Sequence, residues 1–472
     1  MGAQIPTHGQ ELLAFAHGVT LGDMPADVVE QAKTCLLDAL GCGLFGSGQP
    51  WSRILADEMV AEGSTGRSTV IGRQQFLAAP AAALCNGTAI HGFELDDLIA
   101  ESIIHPAACV IPAAMAAAES IDAPGASLLE GIVAGYEAMH RVGLALGVEP
   151  AKRGFHTTSL VGPIACAVAA AKVIQLSFEQ LLSAVGLSCS AAAGIKSFAG
   201  GHGGGMVKRF HLGRSAEAGV RMAQLAGRGF LGPPFGLDSR FGLMDVFGGA
   251  GAVPERMSRD LGKAWAMRDV WFKVYPICGW IQSVVQLLVE LRGPQPLTLD
   301  DVKSIQVGVS RYAAQNNGEP APVDTMGAQY SIPYCAAVAL TGDPRDPAWF
   351  QPDAVTMPAT RKLAAKVEIV VDPAIEAVYP AKFGASVRLT RADGAVSERT
   401  VLDCHGTPSD PCSGQELQDK FRLLASTRLP SDAVSELARL VYGVATLSSV
   451  RELTSALRSV GAGAMSNKRK MA

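Results

Sequence analysis

The chain has 472 residues, a length for two or three domains; 48% of them are apolar, 18% charged and 6% aromatic, and the formal charge is −4. This balance excludes a disordered chain, which needs low hydrophobicity and high net charge, and it offers no basic field to hold a nucleic-acid backbone. Alanine dominates the first half and 51 glycines run through the whole, a composition for close-packed helices rather than for an all-β protein.

At the start, no charged segment followed by an apolar run reads as a secretory signal, and MGAQIPT misses a myristoylation signal because Pro6 stands where Ser or Thr is needed. The first long helical pattern covers residues 25–44. Pro25 opens it, Asp27 lies in its first turn, and Val28, Val29, Ala32, Cys35, Leu36, Ala39 and Leu40 form one apolar face at i, i+3, i+4 spacing. Residues 76–91, 106–119, 127–146, 159–174, 177–190 and 214–226 read the same way. Several are apolar almost all round, which places them inside a large helical domain covering residues 8–265. The longest apolar stretches, such as 161–171, end well short of the roughly 20 residues that span a bilayer.

The pattern changes near residue 268. Residues 302–310 alternate imperfectly, 366–371 is a β-branched run, and 386–401 reads as a hairpin turning at Asp393-Gly394. An apolar helix at 330–340 lies between them. Amphipathic helices return at 415–425 and 431–440, followed by 448–459, and are expected to pack back on the first domain. The expected fold is therefore mainly α with an α+β second domain: a discontinuous helical domain of 1–267 and 405–472, and a smaller α+β domain of 268–404.

The ten cysteines (35, 42, 85, 109, 166, 189, 278, 335, 404 and 412) form no C-x-x-C pair, so no zinc or redox motif is read; most lie in apolar runs. A reducing, cytoplasmic compartment is the expectation. The basic run Asn467–Lys470 reads as a solvated terminus.

The segment GGHGGGMVK, residues 200–208, fails the phosphate-loop pattern because Met206 follows Gly205, and it fails the dinucleotide fingerprint because no strand precedes it. It reads either as a glycine loop between helices or as a loop whose backbone N–H groups and Lys208 meet an anion. Six of the nine histidines fall between His91 and His211. His105, His156 and His211 each stand a few residues before an expected helix start. That spacing suggests one pocket ringed by positive helix ends, for which carboxylates are natural guests. Glu94, Asp96 and Asp97 supply an acid cluster that can orient His105 or another base. Lys273, at the start of the second domain, has a hinge position from which it can close over a ligand.

The stretches AAPAAALCNGTAIHGFELDD, HPAACVIPAAMAAAE, GFHTTSLVGPIACAVAAAK, KRFHLGRSAEAGVRMAQLAGRGFLGP, FKVYPICGW, AQYSIPYCAAVAL and PSDPCSGQELQDKF occur in order with family-like spacing. Together they resemble the MmgE/PrpD family over nearly the whole chain. The resemblance implies a helical domain with an α+β lid, a homodimer, and no metal or organic cofactor. It also implies activity like that of 2-methylcitrate dehydratase, cis-aconitate decarboxylase or an epimerase of iminodisuccinate. Residue by residue, it carries the decarboxylase's histidines and lysines to His105, His156, Lys208 and Lys273 as catalytic residues, with Glu94, Asp97, His211, Cys278 and Tyr330 as substrate-binding residues. Four positions depart from the decarboxylase or family pattern: Glu94 stands for an Asp, Leu98 for a Thr, and Cys278 and Gln282 each for a His.

The three chemistries share one problem: a carbanion beside a carboxylate needs concentrated positive charge in a dry pocket and a base tuned toward neutrality. Dehydration of a small di- or tricarboxylate is the leading expectation, with His156 or Lys208 as base and His105 as acid. Epimerisation, decarboxylation and simple binding of a small acid are the alternatives. Neither a nucleic acid nor a membrane is an expected partner.

Overall fold

The computed structural model describes residues 5–199 and 204–458. The glycine run at 200–203 and the basic run at 467–470 lie outside the described residues.

Five helices make the centre of the larger body: Ala79–Ile90, Ala107–Ile121, Gly125–Leu146, Thr157–Val173 and Val207–Gly227. The helices Ala79–Ile90 and Ala107–Ile121 are buried along nearly their whole length, which is what an all-round apolar sequence requires. Small residues set how closely the helices approach. Gly87 and Gly213 meet where two helices cross: a Cβ on Gly87 would lie 2.8 Å from the Gly213 Cα, and one on Gly213 would lie 2.2 Å from the Leu84 carbonyl oxygen. Alanine elsewhere on these faces fills the same narrow space at little entropic cost.

Two expectations need correction here. The helix expected at 214–226 begins at Val207, so Lys208 sits in its first turn and His211 inside it, not in a loop before it. Gly213 stands inside this helix, where its missing side chain allows the close approach to Leu84. Residues 228–281 are not helical in the expected manner; among the described residues they hold only short 3-10 and π turns. Gly229, Gly232, Pro233, Pro234, Gly236 and Gly242 interrupt every run there. A minor difference lies at 76–91, where Phe76–Leu77 (β2) pairs antiparallel with Ser68–Thr69 (β1) before the helix starts.

The second part is α+β. Its four-stranded sheet has the order β4-β3-β5-β6, with β3 at Val302–Val309, β4 at Val367–Val371, β5 at Ala385–Arg391 and β6 at Val396–Val401. β3 runs parallel to β4 and antiparallel to β5, placing Val307 opposite both Ile369 and Val387. The β5–β6 hairpin turns at Asp393-Gly394, where Gly394 takes φ 91°. Ile305, Val307, Val387 and Leu389 are buried, and the helices Gln282–Arg292 and Ile332–Thr341 pack on this side.

The chain then returns to the first body. Helix Gly414–Ala425 packs on helix Ala26–Ser47, where a Cβ on Gly41 would lie 3.1 Å from the Phe421 ring. Lys420 reaches through this contact to the Asp38 carboxylate at 2.7 Å and to the backbone oxygen of Leu95 at 2.6 Å. The returning helix thereby ties down the acidic loop. All ten cysteines are free. No helix among the described residues is long and apolar enough to cross a membrane.

Candidate active site

The site is built around the irregular segment that follows helix Ala79–Ile90. A 3-10 turn, His91–Phe93, ends in Glu94 at φ 57°, a left-handed conformation that a non-glycine residue adopts at a cost of about 1–3 kcal/mol. The chain then makes a tight loop closed by paired hydrogen bonds between Ile99 and Ile104. Within this loop Ile103 is also left-handed, at φ 54°, which is exceptional for a β-branched side chain. His105 leaves the loop directly before Pro106 and helix Ala107–Ile121.

The two aspartates of this segment divide their tasks. The Asp97 carboxylate accepts the Ala107 N–H at 2.9 Å, satisfying a free donor at the helix start, and the Tyr136 hydroxyl at 2.8 Å. Burial pushes its pKa up to about 8 against these two hydrogen bonds. Its side chain does not line the cavity, and both of its carboxylate oxygens are engaged by these two donors. What it gives the site is its backbone oxygen, which lies 2.9 Å from His105 Nδ1. Asp96 instead lies among the imidazoles, 2.7 Å from His91 Nδ1 and 3.5 Å from His105 Nδ1.

Four histidines form a row. The rings of His91 and His105 are 4.9 Å apart, those of His91 and His156 are 6.3 Å apart, and His156 Nδ1 lies 3.2 Å from His211 Nδ1. His156 caps the start of helix Thr157–Val173, and His211 comes from the helix that carries Lys208. Desolvation first, and then the nearby ammonium groups, holds His91, His105 and His156 well below the ordinary histidine range, so they are neutral bases at pH 7.

Opposite them, Glu94 is held between two lysines. Lys208 Nζ donates to one carboxylate oxygen and Lys273 Nζ donates to the other at 3.0 Å. All three groups are at most 2% exposed. Burial would raise the Glu94 pKa, but the two ammonium groups overcome it and hold the carboxyl well below its usual range. The lysines then diverge. Burial pulls Lys208 down, with Glu94 offsetting only part of this, whereas Glu94 and Asp96 outweigh burial at Lys273 and raise it. The two lysines are thus shifted in opposite directions by their surroundings.

A narrow cavity of about 70 Å³ opens over this arrangement. Glu94, His105, His156, Lys208, Cys278 and Tyr330 line it, as their sequence context anticipates. Lys273 and His211 stand behind the wall, Lys273 in contact with Glu94 and His211 with His156. Tyr330 is placed by Gln329, whose amide donates to the backbone oxygens of Phe93 and Pro276 at 2.9 Å each. Sequence reasoning missed several groups. Thr157 and Thr158 line the cavity at a helix N-terminus, and the Thr157 hydroxyl is buried with no hydrogen-bond partner. Lys196 and Tyr312, hydrogen-bonded to each other, form another part of the wall, and Trp280 and Phe383 complete it. His91 was the most findable of these, since it directly precedes the acidic segment.

His91, Asp96 and His105 also place three metal-type ligand atoms within 4.8 Å of one another. The Nδ1 atoms of both histidines already lie at hydrogen-bond distance from oxygen acceptors. These hydrogen bonds orient the imidazoles, while His91 Nε2 and Asp96 Oδ1 are buried without a hydrogen-bond partner.

Residues 10–255 match the MmgE/PrpD N-terminal domain and residues 275–442 match the MmgE/PrpD C-terminal domain. A cis-aconitate decarboxylase-like protein of Aspergillus oryzae is 30% identical, over 94% of this chain and 95% of that protein. The cis-aconitate decarboxylase of Homo sapiens is 28% identical, over 94% and 92% respectively. The 2-methylcitrate dehydratase of Cupriavidus necator is 24% identical, over 85% and 86%.

Proposed function

The chain belongs to the MmgE/PrpD family, and from that premise we propose that it is a lyase that forms a carbanion beside a carboxylate of a small organic acid, with loss of CO₂ as the bond-breaking step. The observation that carries this reading is the pairing of a buried lysine with an apolar wall. Lys208, its pKa lowered by burial, lines the same cavity as Leu98, Cys278, Trp280 and Phe383. Such a wall keeps water out of the cavity, so the departing carboxylate loses hydration that the neutral CO₂ does not need, which favours the path to decarboxylation. The electron pair of the breaking C–C bond stays on carbon. Lys208 N–H donates a proton to that carbon and later recovers one from solvent. Lys273, kept charged by Glu94, contributes a fixed positive field for the developing carbanion.

The decarboxylase relatives support this order of preference over dehydration, the leading expectation from sequence. Dehydration stands as the second reading on one observation: His105, held by the Asp97 carbonyl, keeps Nε2 free to remove a proton next to a carboxylate, with Lys208 as acid for the departing hydroxide. The deciding experiment is incubation of the purified chain with di- and tricarboxylates in D₂O, followed by NMR and by CO₂ capture. Captured CO₂ with deuterium on the former carboxyl-bearing fragment is the expected result. A new vinylic signal without CO₂ would replace it with dehydration. Exchange with no net product would indicate epimerisation, and no exchange or product from any acid would remove the carbanion proposal.

A further inference from the structure

We infer that the acid bound in this cavity carries an apolar arm and no more than two carboxylates. The inference rests on the lyase reading for its chemistry but on the cavity alone for its substrate class.

The first observation is a charge inventory. At the inner end two ammonium groups, Lys208 and Lys273, face two acidic side chains, Glu94 and Asp96. Glu94 accepts from both lysines, and the positive field they retain is directed at the reacting carbon rather than at a further carboxylate. The histidines add no charge, being neutral. Arg209 lies close by but donates to the backbone oxygens of Gly92 and Gly205 and does not line the cavity. Among the described residues, the surplus cation on the wall is Lys196, beside Tyr312. To it are added the N-terminus of helix Thr157–Val173 and the unpartnered Thr157 hydroxyl. This is enough for one carboxylate at the helix end and one at Lys196, and it leaves a third without a counter-charge.

The second observation is the opposite wall. Leu98 and Phe383 are buried hydrophobes of one cluster, Trp280 packs against that cluster, and the Trp280 ring lies 5.8 Å from Phe383 and 4.7 Å from Tyr312. The buried Cys278 thiol, held up to about 11 by burial, is uncharged. These side chains offer a carboxylate no cation. The Trp280 N–H is the one donor among Leu98, Trp280, Phe383 and Cys278 that could serve an anion, and it is buried without a partner. An alkyl or aryl arm placed there gains about fourfold in affinity for each methylene removed from water.

The test uses the full chain and one chemical series, malonates that differ only in the substituent at carbon 2: methyl, n-propyl, benzyl or carboxymethyl. Loss of CO₂ from any of them leaves the electron pair beside the remaining carboxylate, and the carboxymethyl member is a tricarboxylate. Binding is read by calorimetry and turnover by CO₂ release. The propyl and benzyl acids are expected to bind at least tenfold more tightly than the carboxymethyl acid. In a Leu98→Thr/Cys278→His variant, which puts hydrogen-bond donors on the wall, that ratio should fall by at least tenfold. Equal or tighter binding of the carboxymethyl acid by the unaltered chain overturns the inference, whatever the turnover. Apolar preference in binding with no CO₂ and no exchange from any member upholds the substrate class and overturns the lyase reading. Turnover that is fastest with the carboxymethyl acid, together with its tighter binding, does the reverse. Failure of every member to bind overturns both.

Discussion

His105 Nδ1 lies 2.9 Å from the backbone carbonyl oxygen of Asp97. A carbonyl only accepts, so Nδ1 carries the proton and Nε2 is left as a bare acceptor. The backbone thus fixes the tautomer, and the His105 N–H to the Thr158 hydroxyl, at 3.3 Å, fixes the residue from the other side. Desolvation and then the Lys273 ammonium depress the His105 pKa, while Asp96 raises it. Under the dehydration reading protonation of His105 removes the base, so the acid limb of kcat/KM should then fall below pH 6.5, the ordinary histidine value. Asp96→Asn should move that limb to still lower pH. A pH–rate profile checks both, and a limb at or above 6.5 in the unaltered chain would remove His105 as the free-enzyme base.

Asp97 predicts a stability effect with a definite sign. Its folded pKa of about 8 exceeds the unfolded value of 3.8. The unfolded chain therefore loses this proton first, and stability drains away as pH rises from about 4 to about 8 and then levels. Asp97→Asn removes the titration but keeps an oxygen for the Ala107 N–H. Thermal melts across pH 5–9 should show a flatter profile for the variant, with its advantage greatest at the alkaline end. Parallel profiles would contradict this.

Glu94→Gln should be severe. It leaves Lys208 and Lys273 buried with no anion between them, the kind of loss that costs about 3–5 kcal/mol. It also withdraws the interaction that raises the Lys208 pKa, so the alkaline limb of the pH–rate profile should shift down. Denaturant titration measures the first effect and kinetics the second. A change in stability under 1 kcal/mol would show that the pair is not the buried unit described.

Gly213→Ala tests the helix crossing beneath the site. The added Cβ would meet the Leu84 carbonyl at 2.2 Å and the Thr88 hydroxyl at 2.3 Å. A carbonyl inside a helix cannot step aside, so a loss of about 1–3 kcal/mol is expected in unfolding experiments. Lys208 lies five residues earlier on the same helix, so kcat should fall as well. Gly63→Ala meets no atom but carries φ 78°, and so serves as a backbone-strain control away from the site.

The helical body was legible because its apolar faces repeat over many turns, as in residues 25–44, and the hairpin was legible because Asp-Gly sits between alternating strands. The start of the helix at Val207 was not: glycines on both sides of KRFHL signal a loop, and only the Leu84 contact explains Gly213. In the site, His105, His156, Lys208 and Tyr330 were reachable from their motifs. The split between Asp96 and Asp97 was not, since adjacent acids in an irregular loop have no period that says which one turns inward. Lys196, Tyr312, Trp280 and Phe383 come from four separate segments whose meeting depends on how the second part docks.

Glu94 is 114 residues from Lys208 and 179 from Lys273. Closing loops of that length costs entropy before any contact returns it, so this cluster should form late on the folding path. Until Lys273 arrives from the second part, Glu94 and Lys208 are a lone pair at an open seam. Substitutions at Glu94 or Lys273 should accordingly speed unfolding while leaving refolding rates nearly unchanged. The charge cluster that prepares the site for chemistry is thereby also a latch, the last contact made between the two parts and the first to be released.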